Sequence, residues 1–208
     1  MKIFIAIIVI CAFAASLLFY PALPEQMTVH WNAEGEPDGY MSTIGGVMII
    51  PIIMLFIGVL ALVLPRMDPL RQNFRKYAKA YYATILLILL FLLYLHGVMI
   101  AWNLGLELDM MRMIAPALGV LFIVIGALLQ KSRRNWFFGI RTPWTISNDK
   151  VWKKTHRLGS YLFMISGVLA LFGAIIPRMA IWFILVPILS TVVISFVYSY
   201  YLYRKVSG

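Results

Sequence analysis

The chain has 208 residues, of which 62% are hydrophobic and only 12% carry a charge at neutral pH. Soluble globular proteins average about 45–50% apolar and about 25% charged residues, so this chain has too little polar surface to cover a water-soluble core. Its composition therefore excludes a soluble enzyme and an intrinsically disordered protein. The formal net charge of +10 calls for a separate explanation.

Six apolar runs, each bounded by charged residues or proline, contain most of the hydrophobic residues. They cover about residues 3–20, 44–64, 82–102, 112–130, 158–177 and 180–202. A membrane-spanning helix needs roughly 20 apolar residues, so each run is long enough to cross a bilayer. The sequence therefore predicts an all-α, polytopic membrane protein with six transmembrane helices.

The positions of the charges predict an orientation for these helices. Every Lys and Arg except Arg112 and Arg178 falls on one side of the predicted membrane, and every Asp and Glu except Asp68 and Asp149 falls on the other. Basic residues in short loops remain cytoplasmic. We therefore predict a multi-pass protein of the plasma membrane with both termini in the cytoplasm. Because topology and contact with membrane lipid explain the basic charge, we expect no direct contact with nucleic acid.

The loop between the first two spans, residues 21–43, is predicted to be ordered and extracytoplasmic. Met27, Val29 and Trp31 alternate with polar residues, as in a short strand, and the run Pro37-Asp38-Gly39 is a strong turn signal. These apolar side chains and Tyr40 would be exposed if the loop projected freely. We therefore expect the loop to pack on the helices as a cap.

One histidine in this loop raises the question of metal binding. His30 lies close in sequence to Glu34, Glu36 and Asp38, and such a group could bind a divalent cation or act as an acid–base pair. No second histidine or cysteine pair accompanies it at the spacing of a metal site. We therefore predict no metal site, no cofactor and no catalytic residues.

The loop between the fourth and fifth spans, residues 131–157, is basic and aromatic. Thr145 or Ser147 could begin a short helix that continues through residues 149–157, with Trp152 on the membrane side and the lysines among lipid headgroups. Arg141 and Trp144 are rigid groups of the kind that build a binding surface. The segment could therefore serve as a lipid anchor, as a binding surface, or as both.

Within the spans, few polar residues stand out. His96 is the ionisable residue that falls inside an apolar run, and we expect it to be a hydrogen-bonded core histidine. Small residues recur at helical spacing, as in helices that approach closely in lipid: Ala115, Gly119 and Gly126 in the fourth span, and Ser166, Ala170, Gly173 and Ala174 in the fifth. Pro51, Pro116 and Pro187 are expected to kink their helices.

Two sets of residues carry a resemblance to a known family. The cytoplasmic run Gly139-Ile140-Arg141-Thr142-Pro143-Trp144-Thr145, with Val151-Trp152-Lys153-Lys154 and His156-Arg157-x-Gly159, resembles the signature of the SdpI family, bacterial immunity proteins against a secreted sporulation-delay toxin. The outer loop is similar to an extracytoplasmic motif that often precedes this signature: Leu23-Pro24-Glu25, His30-Trp31-Asn32, Gly35 and Pro37-Asp38-Gly39. The resemblance covers the whole chain and suggests a helix pair with its loop, 1–64, followed by a four-helix SdpI-like region, 65–208.

The resemblance implies a non-enzymatic bacterial membrane protein that binds or neutralises a toxin peptide outside the cell. It also implies signalling by sequestration of a DNA-binding autorepressor inside the cell. The outer residues implied to bind the ligand are Pro24, His30, Trp31, Asn32, Gly35, Asp38 and Gly39. The residues implied to form or support the cytoplasmic output surface are Gly139, Arg141, Thr142, Pro143, Trp144, Trp152, Lys153 and His156.

Two alternatives remain open at the level of sequence. The first is a metal-dependent membrane enzyme that uses the outer loop, although the chain has no His-Glu-x-x-His, no Gly-x-Ser-x-Gly and no paired intramembrane aspartates. The second is a small transporter whose cavity is opened by the prolines within the spans. A continuous polar cavity would favour the transporter, whereas a packed bundle core would favour the binding protein.

Overall fold

The computed structural model describes residues 1–207, most of which are helical. The helices are α1 (Lys2–Phe19), α2 (Thr43–Met67), α3 (Phe74–Asn103), α4 (Met110–Leu129), α5 (Pro143–Ser147), α6 (Asp149–Leu171) and α7 (Ala180–Ser207). Strands β1 (Gln26–Trp31) and β2 (Pro37–Ser42) form an antiparallel hairpin between α1 and α2. Within the described residues, six helices are long and apolar enough to cross a membrane, and only α5 is short. The prediction of an all-α polytopic protein is confirmed.

Successive spans run in opposite directions, so their connections lie alternately at the two ends of the bundle. The hairpin, the α3–α4 connection and the turns at residues 172–179 lie at one end, which we call the hairpin end. The other end, which we call the basic end, comprises the beginning of α1, the end of α2, the α2–α3 connection, the first turns of α3 and α6, residues 130–148 and the last turns of α7.

Two helices begin earlier than the apolar runs predict. Helix α3 begins at Phe74 and α6 at Asp149, about two turns before the run boundaries at 82 and 158. The first turns of α6 are amphipathic, so the average hydropathy hides them. Lys150, Lys153, Lys154 and Arg157 are exposed, whereas Val151, Trp152, Thr155 and His156 are buried. The expectation that Trp152 faces the membrane is therefore wrong, because its side chain is only 3% exposed and packs inside the protein.

The hairpin is a cap on the bundle. Met27 is fully buried and clusters with Val47 of α2 and with Met99 and Ile100 of α3. Gly46 of α2 makes room for this contact, since a Cβ there would lie 3.0 Å from the Cβ of Met27. Tyr40 departs from the expectation, because it lies on the outer strand and remains 59% exposed.

Helices α4 and α6 approach each other through glycines. A Cβ on Gly119 would lie 2.8 Å from the carbonyl oxygen of Gly167, and one on Gly126 would lie 2.8 Å from the carbonyl oxygen of Ser160. The small-residue stripe predicted in the fourth span therefore does face another helix. On α6, the residue that allows the closest approach is Gly167, which the predicted stripe omitted.

His96 ties the first three helices together. Its Nε2 lies 3.0 Å from the hydroxyl oxygen of Ser16, and the same hydroxyl donates to the carbonyl of Val47 at 2.8 Å. The ring is fully buried, as expected for a hydrogen-bonded core histidine. Pro51, Pro116 and Pro187 lie inside α2, α4 and α7, as predicted.

Candidate functional site

Asn32 organises the turn of the hairpin. Its side-chain oxygen accepts hydrogen bonds from the backbone N–H groups of Glu34 at 3.0 Å and of Glu36 at 2.9 Å. Gly35 has a φ of 84°, in the left-handed region that favours glycine. Asn32 and Gly35 thus give the turn its shape, and this explains why an Asn and a Gly occupy these two positions.

His30 and Asp38 form an exposed pair across the hairpin. Nδ1 of His30 lies 2.6 Å from Oδ1 of Asp38, and the two side chains are 71% and 44% exposed. Gly39 pairs with His30 in the strand register, and a Cβ on Gly39 would lie 2.8 Å from the Cβ of His30. Within residues 1–207, no three His, Cys, Asp or Glu side chains are grouped to hold a metal ion, so the pair lacks a third ligand.

The hairpin is fixed to α3 by an asparagine that acts on backbone atoms. Oδ1 of Asn103 accepts from the N–H of Thr28 at 2.8 Å, and Nδ2 donates to the carbonyl of Thr28 at 2.9 Å. Nearby, Trp31 and Trp102 meet edge to face with ring centroids 5.7 Å apart. Sequence reasoning missed Asn103, because nothing in its local sequence marks a partner 75 residues away.

The entry to β1 is also fixed, by the first residue of α2. The hydroxyl of Thr43 donates to the carbonyl of Pro24 at 2.7 Å, and its backbone N–H donates to the carbonyl of Glu25 at 3.1 Å. The conformation of the Pro24 segment is therefore held by α2 as well as by proline.

A cleft of about 610 Å³ lies between the hairpin turn and the second half of the bundle. We call it the hairpin cleft. Its lining comprises Ala33, Glu34, Gly35, Asp109, Met110, Pro177, Arg178, Ile181 and Trp182. Asp109 caps α4 and pairs with Arg112, whereas Arg178 has no ion-pair partner among the described residues. Of the predicted ligand-binding residues only Gly35 lines the cleft. Arg178 stands out in the sequence as a basic residue on the outer side, but neither it nor Trp182 was predicted to bind a ligand.

At the basic end, Asn135 shapes the segment that leads into the family signature. Its amide nitrogen donates to the carbonyls of Arg133 at 2.7 Å and of Phe138 at 2.8 Å, and its oxygen accepts from the N–H groups of Phe137 and Phe138. Asn135 is fully buried. Its side chain therefore replaces the regular backbone pairing that this segment lacks.

His156 and Trp152 hold this segment against α6. Nε2 of His156 accepts from the backbone N–H of Ile140 at 3.0 Å, and Nδ1 lies 2.8 Å from the carbonyl oxygen of Trp152. A backbone N–H only donates and a carbonyl only accepts, so Nδ1 carries the ring proton and Nε2 does not. The two rings stack with centroids 4.0 Å apart. Gly139, with a φ of 112°, passes so close that a Cβ there would collide with Nε2 of His156.

Thr142 and Pro143 start the short helix α5. The hydroxyl of Thr142 accepts from the N–H of Thr145, and the hydroxyl of Thr145 accepts from the N–H of Thr142, which is a capping box. Pro143 occupies the first turn, where its missing N–H is tolerated. The Thr142 hydroxyl also donates to that of Ser199 at 3.0 Å, so this helix is bonded to α7.

The remaining signature residues differ in their exposure. Trp144 packs against Phe196 and Tyr200 of α7, with ring centroids 5.0 Å apart in each pair. Arg141 is exposed and donates from Nη1 to the carbonyl of Trp136 at 2.7 Å, and Lys153 is also exposed. The signature thus consists of buried residues that fix the segment and a few exposed residues that can meet a partner.

Two residues of the α2–α3 connection join this segment to the first half of the bundle. The buried carboxylate of Asp68 accepts from the N–H of Trp136 at 3.2 Å, and the amide of Asn73 donates to the carbonyl of Arg134 at 3.1 Å. Sequence reasoning missed both residues. Asp68 carried one signal, because it is a lone acid in an otherwise basic connection.

Comparison with known proteins finds matches to both parts of the chain. The model of the SdpI/YfhL protein family matches residues 131–199, and a domain of unknown function (DUF1648) matches residues 7–55. The chain is 30% identical over 207 residues to the immunity protein SdpI of Bacillus subtilis (strain 168), which covers 98% of this chain and 97% of that protein. It is 38% identical over 47 residues to the uncharacterized membrane protein YbgB of the same organism, covering 23% of this chain and 52% of that protein. No solved structure matches the chain.

Six spanning helices, a docked hairpin at one end and a folded polar segment at the other define a multi-pass, all-α membrane protein. The near full-length similarity then assigns its family. The chain belongs to the SdpI family. This membership supports the expectation of a non-enzymatic membrane protein.

Proposed function

We propose that this chain is a membrane immunity protein that neutralises a secreted antimicrobial peptide. The observation that supports the proposal most strongly is the similarity to an immunity protein along nearly the whole chain. We also propose that the basic end lies in the cytoplasm, because it holds every Lys and Arg except Arg112 and Arg178. Both termini are then cytoplasmic and the hairpin faces outward.

We propose the hairpin cleft as the place where the peptide binds. Ile181 and Trp182 offer apolar surface, and Trp182 is 57% exposed, so it is available as an aromatic anchor. Arg178 and Glu34 add charges of opposite sign at the same cleft. His30 and Asp38 would then belong to the exposed outer surface beside the bound peptide rather than to its pocket.

We further propose that the basic end presents an output surface to a cytoplasmic autorepressor. Arg141 and Lys153 are its exposed charges, and Gly139, Thr142, Trp152 and His156 keep the backbone beneath them in place. Helix α3 connects the two ends, since Asn103 at its end binds the hairpin and Asn73 at its beginning binds residue Arg134. Signalling requires that the peptide favour one position of this helix over another.

No observation favours the two alternatives, a metal-dependent membrane enzyme and a small transporter. The pair of His30 and Asp38 is not joined by a third metal-ligating side chain within the described residues. A polar cavity at the basic end, lined by Asn73, Arg134 and Lys153 among others, lies at the opposite end of the bundle from the hairpin cleft. The two share no lining residue.

The immunity proposal is tested by survival. Susceptible bacterial cells that express the chain are exposed to a panel of secreted membrane-active peptides, beside cells that carry the empty vector. We expect survival of at least one peptide with the natural chain, and loss of that protection with Trp182→Ala. Trp136→Ala is the matched control, because Trp136 is also an exposed tryptophan but lies at the basic end. Equal survival of expressing and empty cells across the panel would reject immunity to those peptides.

The autorepressor proposal needs a separate test. The probe is a DNA-binding repressor encoded beside this gene, and the measurement is its retention on membranes that contain the chain after the protective peptide is added. We expect retention with the natural chain and with Lys154→Gln, and reduced retention with Arg141→Gln and Lys153→Gln. Retention that does not depend on the peptide or on these two side chains would contradict the proposal.

A further inference from the structure

A second cavity, of about 490 Å³, lies at the basic end. It is formed by the start of α3, residues 130–134 and the first two turns of α6, and we call it the basic cavity. Its lining comprises Asn73, Lys76, Gln130, Ser132, Arg133, Arg134, Asp149, Trp152, Lys153 and His156. The volume lies within the range of about 300–1,000 Å³ that is usual for small-ligand sites.

The charge of this cavity is strongly one-sided. Four of its side chains are basic and only Asp149 is acidic. Arg134 and Asp149 already neutralise each other, since Nε of Arg134 lies 3.0 Å from Oδ1 of Asp149. Lys76, Arg133 and Lys153 have no ion-pair partner among the described residues. The cavity therefore keeps a surplus of positive charge.

Its hydrogen-bonding groups show a matching surplus of donors. Trp152 and Ser132 are 3% and 4% exposed, yet Nε1 of Trp152 and the hydroxyl of Ser132 have no hydrogen-bond partner in the described structure. An indole N–H can only donate. The amide nitrogens of Asn73 and Gln130 donate elsewhere, to the carbonyl of Arg134 and the hydroxyl of Ser160. Nε2 of His156 is occupied by the N–H of Ile140.

We propose that the basic cavity binds a phosphate group. A phosphate brings negative charge and several acceptor oxygens, and so matches three unpaired cations and two unpartnered buried groups held by three different parts of the chain. Hydrogen bonds between charged donors and phosphate oxygens are among the strongest in proteins. A carboxylate, with two oxygens, would leave more of these donors unsatisfied. This inference is independent of toxin binding.

The phosphate can come from the headgroup of an anionic phospholipid or from free phosphate. The cavity lies at the end of the spans, the level at which headgroups and aromatic belts lie, and Trp136 and Tyr201 are exposed at the same end of the bundle. The same donors would also take inorganic phosphate. The experiment therefore has one arm for each source.

The test uses the full-length protein purified in detergent. In the first arm, native mass spectrometry measures how much phosphatidylglycerol stays bound when the protein is extracted from membranes. In the second arm, delipidated protein is titrated with inorganic phosphate against chloride of equal ionic strength, by calorimetry and by tryptophan fluorescence. The cavity variant is Lys153→Gln with Ser132→Ala, and the matched control is Lys154→Gln with Ser147→Ala, which alters the same residue types outside the cavity.

We expect the cavity variant to bind at least about tenfold more weakly than the natural chain, since one charged hydrogen bond alone corresponds to about a tenfold change. The control should bind as the natural chain does. Trp152→Phe keeps the charge and an aromatic ring but removes the indole N–H, and it should weaken binding while the protein still elutes as a folded species.

The two arms distinguish a lipid headgroup from free phosphate as the source of the phosphate group. Loss of phosphatidylglycerol from the cavity variant alone supports the lipid headgroup, and saturable phosphate binding that is lost in the same variant supports free phosphate. Equal binding by natural, cavity and control proteins in both arms would overturn the proposal. So would tight binding of a phosphate-free polyglutamate peptide in the absence of any phosphate or lipid effect, because it would assign the cavity to an acidic protein.

Discussion

His156 accepts a hydrogen bond from the backbone N–H of Ile140 at 3.0 Å, and the two residues are 16 positions apart in the chain. This bond connects two parts of the family signature, because it joins the Gly139–Thr145 run to the first turns of α6. The imidazole is 2% exposed and lies between its two backbone partners, Ile140 and Trp152. A catalytic base or an exposed contact residue would need a free ring nitrogen, so we assign His156 a positioning role.

Substitution of His156 should destabilise the basic end. His156→Leu leaves the partly buried N–H of Ile140 without its acceptor, which costs about 1–3 kcal/mol. His156→Gln keeps an acceptor oxygen at similar reach and loses only the ring stack, so its loss should be smaller. The measurement is the fraction of monodisperse protein left after heating in detergent. The exposed His30→Gln is the control and should change little, and equal losses for the Leu and Gln variants would contradict the role of this hydrogen bond.

The clamp between Asn103 and Thr28 should hold the hairpin on the bundle. Asn103→Leu removes both hydrogen bonds to the backbone of Thr28, so amide hydrogen exchange across residues 26–42 should accelerate. Asn103→Asp keeps the acceptor but loses the donor and should have an intermediate effect. Asn73→Leu, at the opposite end of α3, should leave hairpin exchange unchanged. Unaltered exchange in Asn103→Leu would show that Met27 and Trp31 suffice for docking.

The glycine contact between α4 and α6 should tolerate no methyl group. In Gly167→Ala the new Cβ would lie 2.5 Å from the carbonyl oxygen of Gly119, so the helices must separate at a cost of about 1–3 kcal/mol. Gly97→Ala is the matched control in α3, where a Cβ meets nothing within 4 Å and removal of a helical glycine stabilises by about 0.5–1 kcal/mol. Thermal unfolding in detergent should therefore shift in opposite directions. A shift in the same direction for both would contradict the contact.

The proposed orientation predicts which loops are accessible from outside the cell. In a Cys11→Ser background, Gln26→Cys places a thiol on the exposed start of the hairpin and Ser147→Cys places one at the exposed end of α5. A membrane-impermeant maleimide added to intact cells should label position 26, and position 147 should react only after permeabilisation. The reverse pattern would place the basic end outside.

The spans could be predicted from sequence because about 20 consecutive apolar residues are a local signal, and the strand at Met27, Val29 and Trp31 could be predicted from its alternation. The contacts that shape the sites could not. Asn103, Asp68 and Asn135 act on backbone atoms, and backbone atoms leave no complementary residue type in the sequence. The expectation for Trp152 failed for a related reason, since a tryptophan beside lysines is typical of a membrane anchor, whereas its burial and its stack on His156 depend on tertiary packing.

The division of the chain at residues 64 and 65 stays a proposal, as do the individual ligand and output residues. The side chains that bind a partner depend on what that partner presents, and the chain alone does not contain that information. What the fold adds is a distinction within each predicted set. Asn32, Gly35, Gly139 and His156 shape the backbone, whereas His30, Asp38, Arg141 and Lys153 remain exposed.

Asn103 recognises Thr28 only through its main-chain N–H and carbonyl. The outward side chains of the hairpin, among them Tyr40, Asp38 and His30, therefore take no part in this attachment. Relatives can exchange those side chains during evolution and still keep the hairpin seated, so one scaffold can diverge toward different ligands without first losing its fold.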